Sequence, residues 1–217
     1  MRLAERLRRS ADGVWKRILE HPFVVELYEG TLPIEKFKFY ILQDYNYLVA
    51  LIRALSIVAS KAEFGVAREV LRLAYAEATT ELEGYESLLS KLGYSVEDAV
   101  RTEPAPTNIA YANFMLATSS LGSEWEGLAA VLPCFWSYAE IAEVHRSRLE
   151  RNPNRLYVEW ASVYLSKEYR EVVDKLVALI DRAPDALYER LERVFITGSR
   201  YEYMFWDMAY NMERWPV

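Results

Sequence analysis

Residues 37–48 read FKFYILQDYNYL, and this stretch decides the fold class. Four large side chains lie minus four, plus three, plus four and plus seven residues from Asp44: Tyr40, Tyr47, Leu48 and Leu51. In an α-helix these offsets fall on one face, which the apolar side chains direct inward. Because aspartate is rarely buried without a partner, we expect a hydrogen-bonding or charged group to contact it. The stretch therefore predicts a core helix that carries a carboxylate into the interior.

Helical periodicity extends over most of the chain, and Gly and Pro residues interrupt it at a few places. No strand-like alternation persists for more than a few positions. We predict ten helices, near 3–20, 23–29, 34–61, 66–92, 108–120, 124–150, 155–165, 168–182, 185–197 and 199–213. With 217 residues, 52% of them hydrophobic, the chain can bury a sizeable core. We expect an all-α, single-domain helical bundle that spans residues 1–217.

The overall charge disfavours several classes of partner. The formal net charge is −6, whereas a nucleic acid or an anionic membrane would require a basic face. The basic N-terminal stretch RLAERLRRS has no apolar segment of the kind found in secretory signals. The longest uninterrupted apolar run, YLVALI, is far shorter than the roughly 20 residues of a membrane-spanning helix. A single cysteine excludes an internal disulfide and fits a cytoplasmic location.

A cysteine lies on the apolar face of the segment AAVLPCFWSYAEIAEVH, residues 129–145. Val131, Tyr138 and Ile141 share that face with Cys134. Pro133 removes one backbone hydrogen bond and predicts either a kink or a new helix start. A new start would place Cys134 in a first turn, where free N–H groups favour the reactive thiolate. The alternative is a buried cysteine that acts only as a small hydrophobic residue.

A glutamate interrupts an aromatic face in SRYEYMFWDMAYNMERW, residues 199–215. Phe205 and Trp206 lie one turn after Glu202, and Ser199 lies one turn before it. An internal ion pair with an arginine is the alternative explanation for this residue. Asp44, Cys134 and Glu202 thus place one reactive group each on the inward face of three separate helices.

The tyrosine count is unusual, at 16 against 8 phenylalanines. Buried tyrosine hydroxyls need partners, so the count indicates either a pocket for a flat polar ring or a set of half-exposed faces and subunit contacts. A Cys–His dyad on one helix is excluded because His145 lies about 16 Å along the axis from Cys134. There is no Glu-x-x-His pair and no glycine-rich phosphate-binding motif. We therefore expect no metal and no nucleotide cofactor.

The stretches around Asp44, Cys134 and Glu202 also resemble those of a known protein family. FYILQDYNYL at 39–48, LPCFWSYAEI at 132–141, WASVY at 160–164 and YEYMFWDMAY at 201–210 resemble, in order and spacing, the TenA family of thiaminase II proteins. The resemblance covers nearly the whole chain. It implies a haem-oxygenase-like all-helical fold, assembled as a homotetramer. It also implies hydrolysis of aminomethyl-aminopyrimidine, or of thiamin, to hydroxymethylpyrimidine, a step of thiamin salvage.

The resemblance assigns roles to eight residues. It implies that Cys134 is the nucleophile and Glu202 the acid–base residue, which identifies the chain with the cysteine-type members. The implied substrate-binding residues are Asp44, Tyr47, Tyr111, Tyr138, Tyr164 and Phe205. The Tyr111 match, in NIAYANFML, rests on a looser motif.

Two other functions remain open from the sequence. The same pocket could hold a pyrimidine without turnover, as in a binding or regulatory protein, although the acidic charge and the cysteine argue against this reading. A cofactor-synthesising oxygenase on the same fold ranks last, since the chain has two histidines and no Glu-x-x-His pair. The choice among thiamin, the aminomethylpyrimidine and a phosphorylated relative is also open.

Overall fold

The long helix around Asp44 forms the centre of the protein. In the computed structural model, which describes all 217 residues, this helix runs from Ile34 to Lys61, as predicted. Asp44 and the four side chains predicted to share its face are all buried. The prediction of an inward-facing carboxylate is therefore confirmed.

The chain folds into α-helices without strands. Thirteen α-helices follow one another along the sequence: α1 Leu3–Ser10, α2 Asp12–Leu19, α3 Pro22–Glu29, α4 Ile34–Lys61, α5 Phe64–Ala76, α6 Leu82–Lys91, α7 Val96–Arg101, α8 Pro106–Leu121, α9 Glu124–Val144, α10 Arg146–Leu149, α11 Arg155–Ser162, α12 Lys167–Ile180 and α13 Tyr188–Asn211. A π-helical segment, Glu77–Glu81, joins α5 to α6, and two short 3₁₀ turns precede α12 and α13. The all-α prediction is confirmed.

Four helices make the core of the bundle. α4, α8, α9 and α13 pack on one another, while α5 and α6 cover α4, and α12 covers α9. One continuous cluster of 56 buried apolar residues extends from Leu3 to Ala209. A hydrogen bond of 2.9 Å from Trp15 Nε1 to Ser199 Oγ joins the N-terminal α2 to α13. This continuity supports the prediction of a single domain.

Several predicted boundaries were wrong. The helix predicted over 66–92 is interrupted by the π-helical segment, and α7 was not predicted. The two helices predicted over 185–197 and 199–213 are one helix, α13. Gly198 does not end a helix but allows close packing: a Cβ there would lie 3.1 Å from both the Ala130 carbonyl oxygen and Pro133 Cγ. Close approach of two helices, invisible in local sequence, explains this glycine.

Pro133 does not start a new helix. α9 continues from Glu124 to Val144 through the proline, so the prediction of a possible restart was wrong. Its N-terminus lies at Ser123, where a reciprocal capping box with Glu126 satisfies the first backbone N–H groups. Cys134 therefore lies in the helix interior, without the free N–H groups that would favour a thiolate.

α4 is long and apolar enough to cross a membrane by length and composition alone. Of its most apolar 18-residue window, however, 61% is buried inside the protein. Core helices of globular domains have the same character, because they are apolar on several faces.

The contact between α4 and α9 leads to a stability prediction. A Cβ at Gly127 would lie 2.4 Å from Val58 Cγ2, so Gly127→Ala overpacks a buried contact. We expect the free energy of unfolding to fall by about 1–3 kcal/mol. Gly13→Ala is the matched control, because nothing lies within 4 Å of a Cβ on that exposed helical glycine, and its stability should rise slightly. Chemical denaturation measures both, and equal stabilities would contradict the close packing.

Candidate active site

A cavity lies where α4, α9 and the π-helical segment meet. It encloses about 330 Å³ of empty volume, including its open mouth. Eleven residues line it: Asp44, Tyr47, Leu48, Leu51, Glu77, Glu81, Cys134, Phe135, Tyr138, Tyr164 and Tyr169. Five of the eight predicted site residues are among them. The other three, Tyr111, Glu202 and Phe205, are buried behind the wall rather than in it.

Asp44 has one engaged and one free oxygen. Its Oδ2 accepts hydrogen bonds from the hydroxyls of Tyr40, at 3.1 Å, and of Tyr85. Oδ1 makes no hydrogen bond, and no arginine or lysine pairs with the carboxylate. Burial raises the pKa of Asp44 to about 7, although the two tyrosine hydroxyls oppose the shift. The side chain is thus held in place by one oxygen while the other remains available to a ligand.

The Cys134 thiol faces this cavity. The side chain is half-buried, and its accessible part belongs to the cavity wall rather than to the outer surface. Burial and then the nearby charge of Glu202 raise the pKa of the thiol well above its usual value, while the Tyr47 hydroxyl acts in the opposite direction. In the resting structure the Tyr47 hydroxyl donates instead to Met115 Sδ, at 3.3 Å. The resting cysteine is therefore a neutral thiol that needs a proton acceptor to react.

Glu202 lies next to Cys134 on the side of α13. Its Oε1 accepts a hydrogen bond from the Tyr111 hydroxyl, and its Oε2 accepts one from Ser137 Oγ at 3.4 Å. Burial raises the pKa of Glu202 to about 8, against the effect of the Tyr111 hydrogen bond. No arginine contacts it, so the alternative of an internal ion pair is not found. A carboxyl group with this pKa can both give and take a proton near neutral pH.

Aromatic rings form the walls around these groups. Tyr138 packs against Tyr164 with ring centroids 4.9 Å apart, and its hydroxyl lies 2.8 Å from the Tyr40 hydroxyl. On the other side, Tyr47 packs against Tyr111 at 4.9 Å and against Phe205 at 5.3 Å. Phe205 thus supports the Tyr47 ring from behind. The abundance of tyrosine reflects a buried polar network around the cavity rather than surface contacts alone.

Several residues of the site were not predicted. Glu77, Glu81 and Tyr169 line the cavity, Tyr40 and Tyr85 hold Asp44, and Ser137 contacts Glu202. Tyr40 was already placed on the inward face of α4, but the hydrogen bond that it forms was not predictable. Glu77 and Glu81 are four residues apart in a segment that reads as an ordinary exposed helix face. The π-helical turn that directs them inward leaves no clear signal in the sequence.

One of the two histidines has a structural role. His21 precedes Pro22 at a helix break, and its Nδ1 accepts a hydrogen bond of 3.1 Å from the Phe23 backbone N–H. It caps the N-terminus of α3.

Known proteins resemble this chain over nearly its full length. The family model described as TENA/THI-4/PQQC matches residues 8–212. An aminopyrimidine aminohydrolase of Halalkalibacterium halodurans is 34% identical over 220 residues, which cover 99% of this chain and 98% of that protein. A TenA homologue from P. horikoshii OT3 is 53% identical, with a TM-score of 0.95 over 97% of this chain and 99% of its own.

A more distant structure shows the fold alone. A domain with a heme oxygenase-like fold from Shewanella denitrificans OS217 superposes with a TM-score of 0.75 at 15% identity, over 96% of this chain and 92% of that one. The predicted haem-oxygenase-like architecture is confirmed.

Proposed function

Because the chain belongs to the TENA/THI-4/PQQC family, we propose that it hydrolyses 4-amino-5-aminomethyl-2-methylpyrimidine, and thiamin, to the hydroxymethylpyrimidine, with Cys134 as nucleophile and Glu202 as acid–base residue. Full-length relatives named aminopyrimidine aminohydrolase support a hydrolase of this type, acting in thiamin salvage, at the level of the family. The residues and the chemical steps are the proposal.

One observation carries the assignment of residues. Cys134 lines the same tyrosine-rich cavity as Asp44, whose Oδ1 is unpartnered. A flat aminopyrimidine fits such a cavity, because aromatic walls can stack on the ring and a carboxylate oxygen can accept from its exocyclic amine. Glu202 is near enough for its charge to raise the pKa of Cys134, and Ser137 Oγ hydrogen-bonds to both Glu202 Oε2 and the Cys134 carbonyl oxygen.

The first step adds the thiol across the ring. Sγ of Cys134 bonds to the unsubstituted ring carbon, which is next to the carbon that carries the methylene group. The ring nitrogen bonded to that unsubstituted carbon takes a proton from Glu202. The carboxylate of Glu202 then receives the thiol proton, so that charge and protons balance. Direct displacement at the methylene group is slow, whereas addition interrupts aromaticity and makes the ring electrons available. The pKa of about 8 keeps Glu202 protonated for this step at neutral pH.

The second step replaces the amine by water. Ring electrons break the bond between the methylene carbon and its ammonium nitrogen, which leaves with the electron pair as ammonia; in thiamin the bond to the thiazolium nitrogen breaks and a neutral thiazole leaves. Water then adds to the methylene carbon and loses a proton. Reversal of the first step breaks the bond to Sγ, restores the aromatic ring and returns the thiol. Water and the aminomethylpyrimidine thus yield the hydroxymethylpyrimidine and ammonia.

Asp44→Asn tests the binding role of the carboxylate. The substitution keeps the shape of the side chain and an oxygen for Tyr40 and Tyr85, but removes the charge that would attract the exocyclic amine. We expect KM to rise about 10-fold to 100-fold, with kcat largely retained, because the carboxylate does not take part in bond breaking. Steady-state kinetics with the aminomethylpyrimidine measure this. A large loss of kcat at unchanged KM would mean that Asp44 acts in the chemistry instead.

A non-catalytic pyrimidine-binding or regulatory protein is the alternative. Mixing the pure protein with thiamin and with the aminomethylpyrimidine, and following the hydroxymethylpyrimidine by chromatography, decides between the two functions. Product formation supports the hydrolase, and binding without product supports the alternative.

The assembly and location are part of the proposal. Phe64, Leu71 and Tyr75 expose 80%, 55% and 71% of their surface on α5, and such apolar surface supports self-association. A homotetramer in the cytoplasm, acting on a small-molecule aminopyrimidine without nucleic acid, membrane or cofactor, remains our expectation.

A further inference from the structure

The π-helical segment brings an acidic side chain without any hydrogen-bond partner into the cavity. Glu77 begins this segment and is 8% exposed, yet it makes no hydrogen bond and no ion pair. A buried carboxylate without a partner is costly, so its retention in a cavity requires an explanation. π-helical turns occur frequently at functional sites, where they redirect side chains.

No positive charge in the protein compensates this group. Among the eleven residues that line the cavity, three are carboxylates, Asp44, Glu77 and Glu81, and none is Lys, Arg or His. Burial, followed by the negative charges of Glu81 and Asp44, raises the pKa of Glu77 well above its usual value. No side chain that lines the cavity could therefore neutralise the charge of its carboxylates.

The four acidic residues of the site differ in their surroundings. Asp44 is held by two tyrosine hydroxyls, and Glu202 by Tyr111 and Ser137. Glu77 and Glu81 have no such partners. Glu81 is half-exposed and also borders an outer pocket formed with Trp160 and Tyr164, whereas Glu77 lines only the inner cavity with Cys134. Glu77 is thus the inner carboxylate with both oxygens free to meet a ligand, whereas Asp44 has only one.

We propose that Glu77 binds the positively charged nitrogen on the methylene group of the substrate, and that it selects substrates by the charge of this substituent. This inference rests on the proposed function. In the aminomethylpyrimidine that nitrogen is an ammonium group, and in thiamin it is the thiazolium nitrogen at the same position. The hydroxymethyl product is neutral, so the attraction ends with the reaction and product can leave. An anionic phosphomethyl group would be repelled.

A charge series on one ring tests the inference. The ligands are the aminomethyl, hydroxymethyl and phosphomethyl forms of the same aminopyrimidine, which carry a positive, neutral and negative substituent. Their dissociation constants are measured by calorimetry in a Cys134→Ser background, which prevents turnover, with and without Glu77→Gln. Glu81→Gln, in the same π-helical segment, is the matched control.

We expect Glu77→Gln to weaken binding of the aminomethyl form about 10-fold to 100-fold. Binding of the hydroxymethyl form should stay within about twofold, and the phosphomethyl form should bind more tightly than before, because only the ionic contribution is removed. In the enzyme that retains Cys134, Glu77→Gln should raise KM for the aminomethylpyrimidine. Equal weakening of all three ligands would indicate a structural role and overturn the inference. The inference would also be overturned if Glu81→Gln, rather than Glu77→Gln, abolished the dependence of binding on the charge of the substituent.

The two proposals can fail separately. If the protein with Cys134 gives no product, the hydrolytic mechanism fails, while the charge series still reports on Glu77. If turnover requires Cys134 but Glu77→Gln leaves the charge series unchanged, the mechanism stands and the role of Glu77 is overturned.

Discussion

Cys134→Ser should reduce hydrolysis of the aminomethylpyrimidine by about 10³-fold or more. The serine hydroxyl has nearly the same size and position, but it is a much weaker nucleophile than sulfur and holds its proton more tightly. The bond between Sγ and the ring carbon would not form, so the ring electrons could not expel the amine. The expected effect is therefore on kcat, measured by the release of ammonia or of the hydroxymethylpyrimidine.

Binding provides the control for this variant. Because Cys134 forms one small part of the cavity wall, Cys134→Ser should bind the hydroxymethylpyrimidine about as tightly as the native protein. Near-native circular dichroism and thermal stability would confirm that the fold is retained. Full hydrolysis by Cys134→Ser would refute the covalent mechanism and leave Glu202 to activate water directly.

Glu202→Gln should lower kcat by about 10²-fold to 10⁴-fold, the usual contribution of a positioned acid–base residue. Glutamine retains the shape of the side chain, its oxygen can accept from Tyr111 and its NH2 group can donate to Ser137 Oγ, so the packing of α13 should be preserved. It cannot transfer a proton to the ring nitrogen or receive one from Cys134. Single-turnover measurements separate this loss from changes in product release.

The pH profile supplies a second readout. The proposed binding of the exocyclic amine requires ionised Asp44, whose pKa is about 7, and the proposed first step requires protonated Glu202, whose pKa is about 8. A plot of kcat/KM against pH should rise through about 7 and fall through about 8. The residual activity of Glu202→Gln should lack the fall on the alkaline side.

Tyr111→Phe is the matched control for this assignment. The Tyr111 hydroxyl donates to Glu202 and lowers its pKa. Its removal should raise that pKa and move the alkaline limb to higher pH, with a smaller loss of kcat than in Glu202→Gln. An unchanged alkaline limb in both variants would show that another group controls it.

The residues that line the cavity were easier to predict from the sequence than those behind its wall. Asp44, Tyr47, Cys134 and Tyr138 could be predicted to face inward, because each lies on the apolar face of a long helix and faces repeat with the helical period. The cavity brings these four together. The catalytic and binding roles given to them remain predictions that the experiments above test.

Glu202 shows a limit of the same reasoning. Its helix face predicts burial, which the structure confirms, but not that it lies behind Cys134 rather than in the cavity wall. That position depends on the close approach of α13 to α9 at Gly198, a contact between residues far apart in the chain. The proposed proton transfer from Glu202 thus depends on how two helices pack.

The sequence by itself determined the all-helical class, the extent of α4 and the inward direction of Asp44, Cys134 and Glu202, since these follow from local periodicity. Only the tertiary structure decided that α9 runs unbroken through Pro133, and that a π-helical turn directs Glu77 into the cavity. Such features depend on which helices meet and how closely, so their energy comes from contacts between distant residues. For that reason the reactive groups could be identified from the sequence, while the charge of their surroundings required the fold.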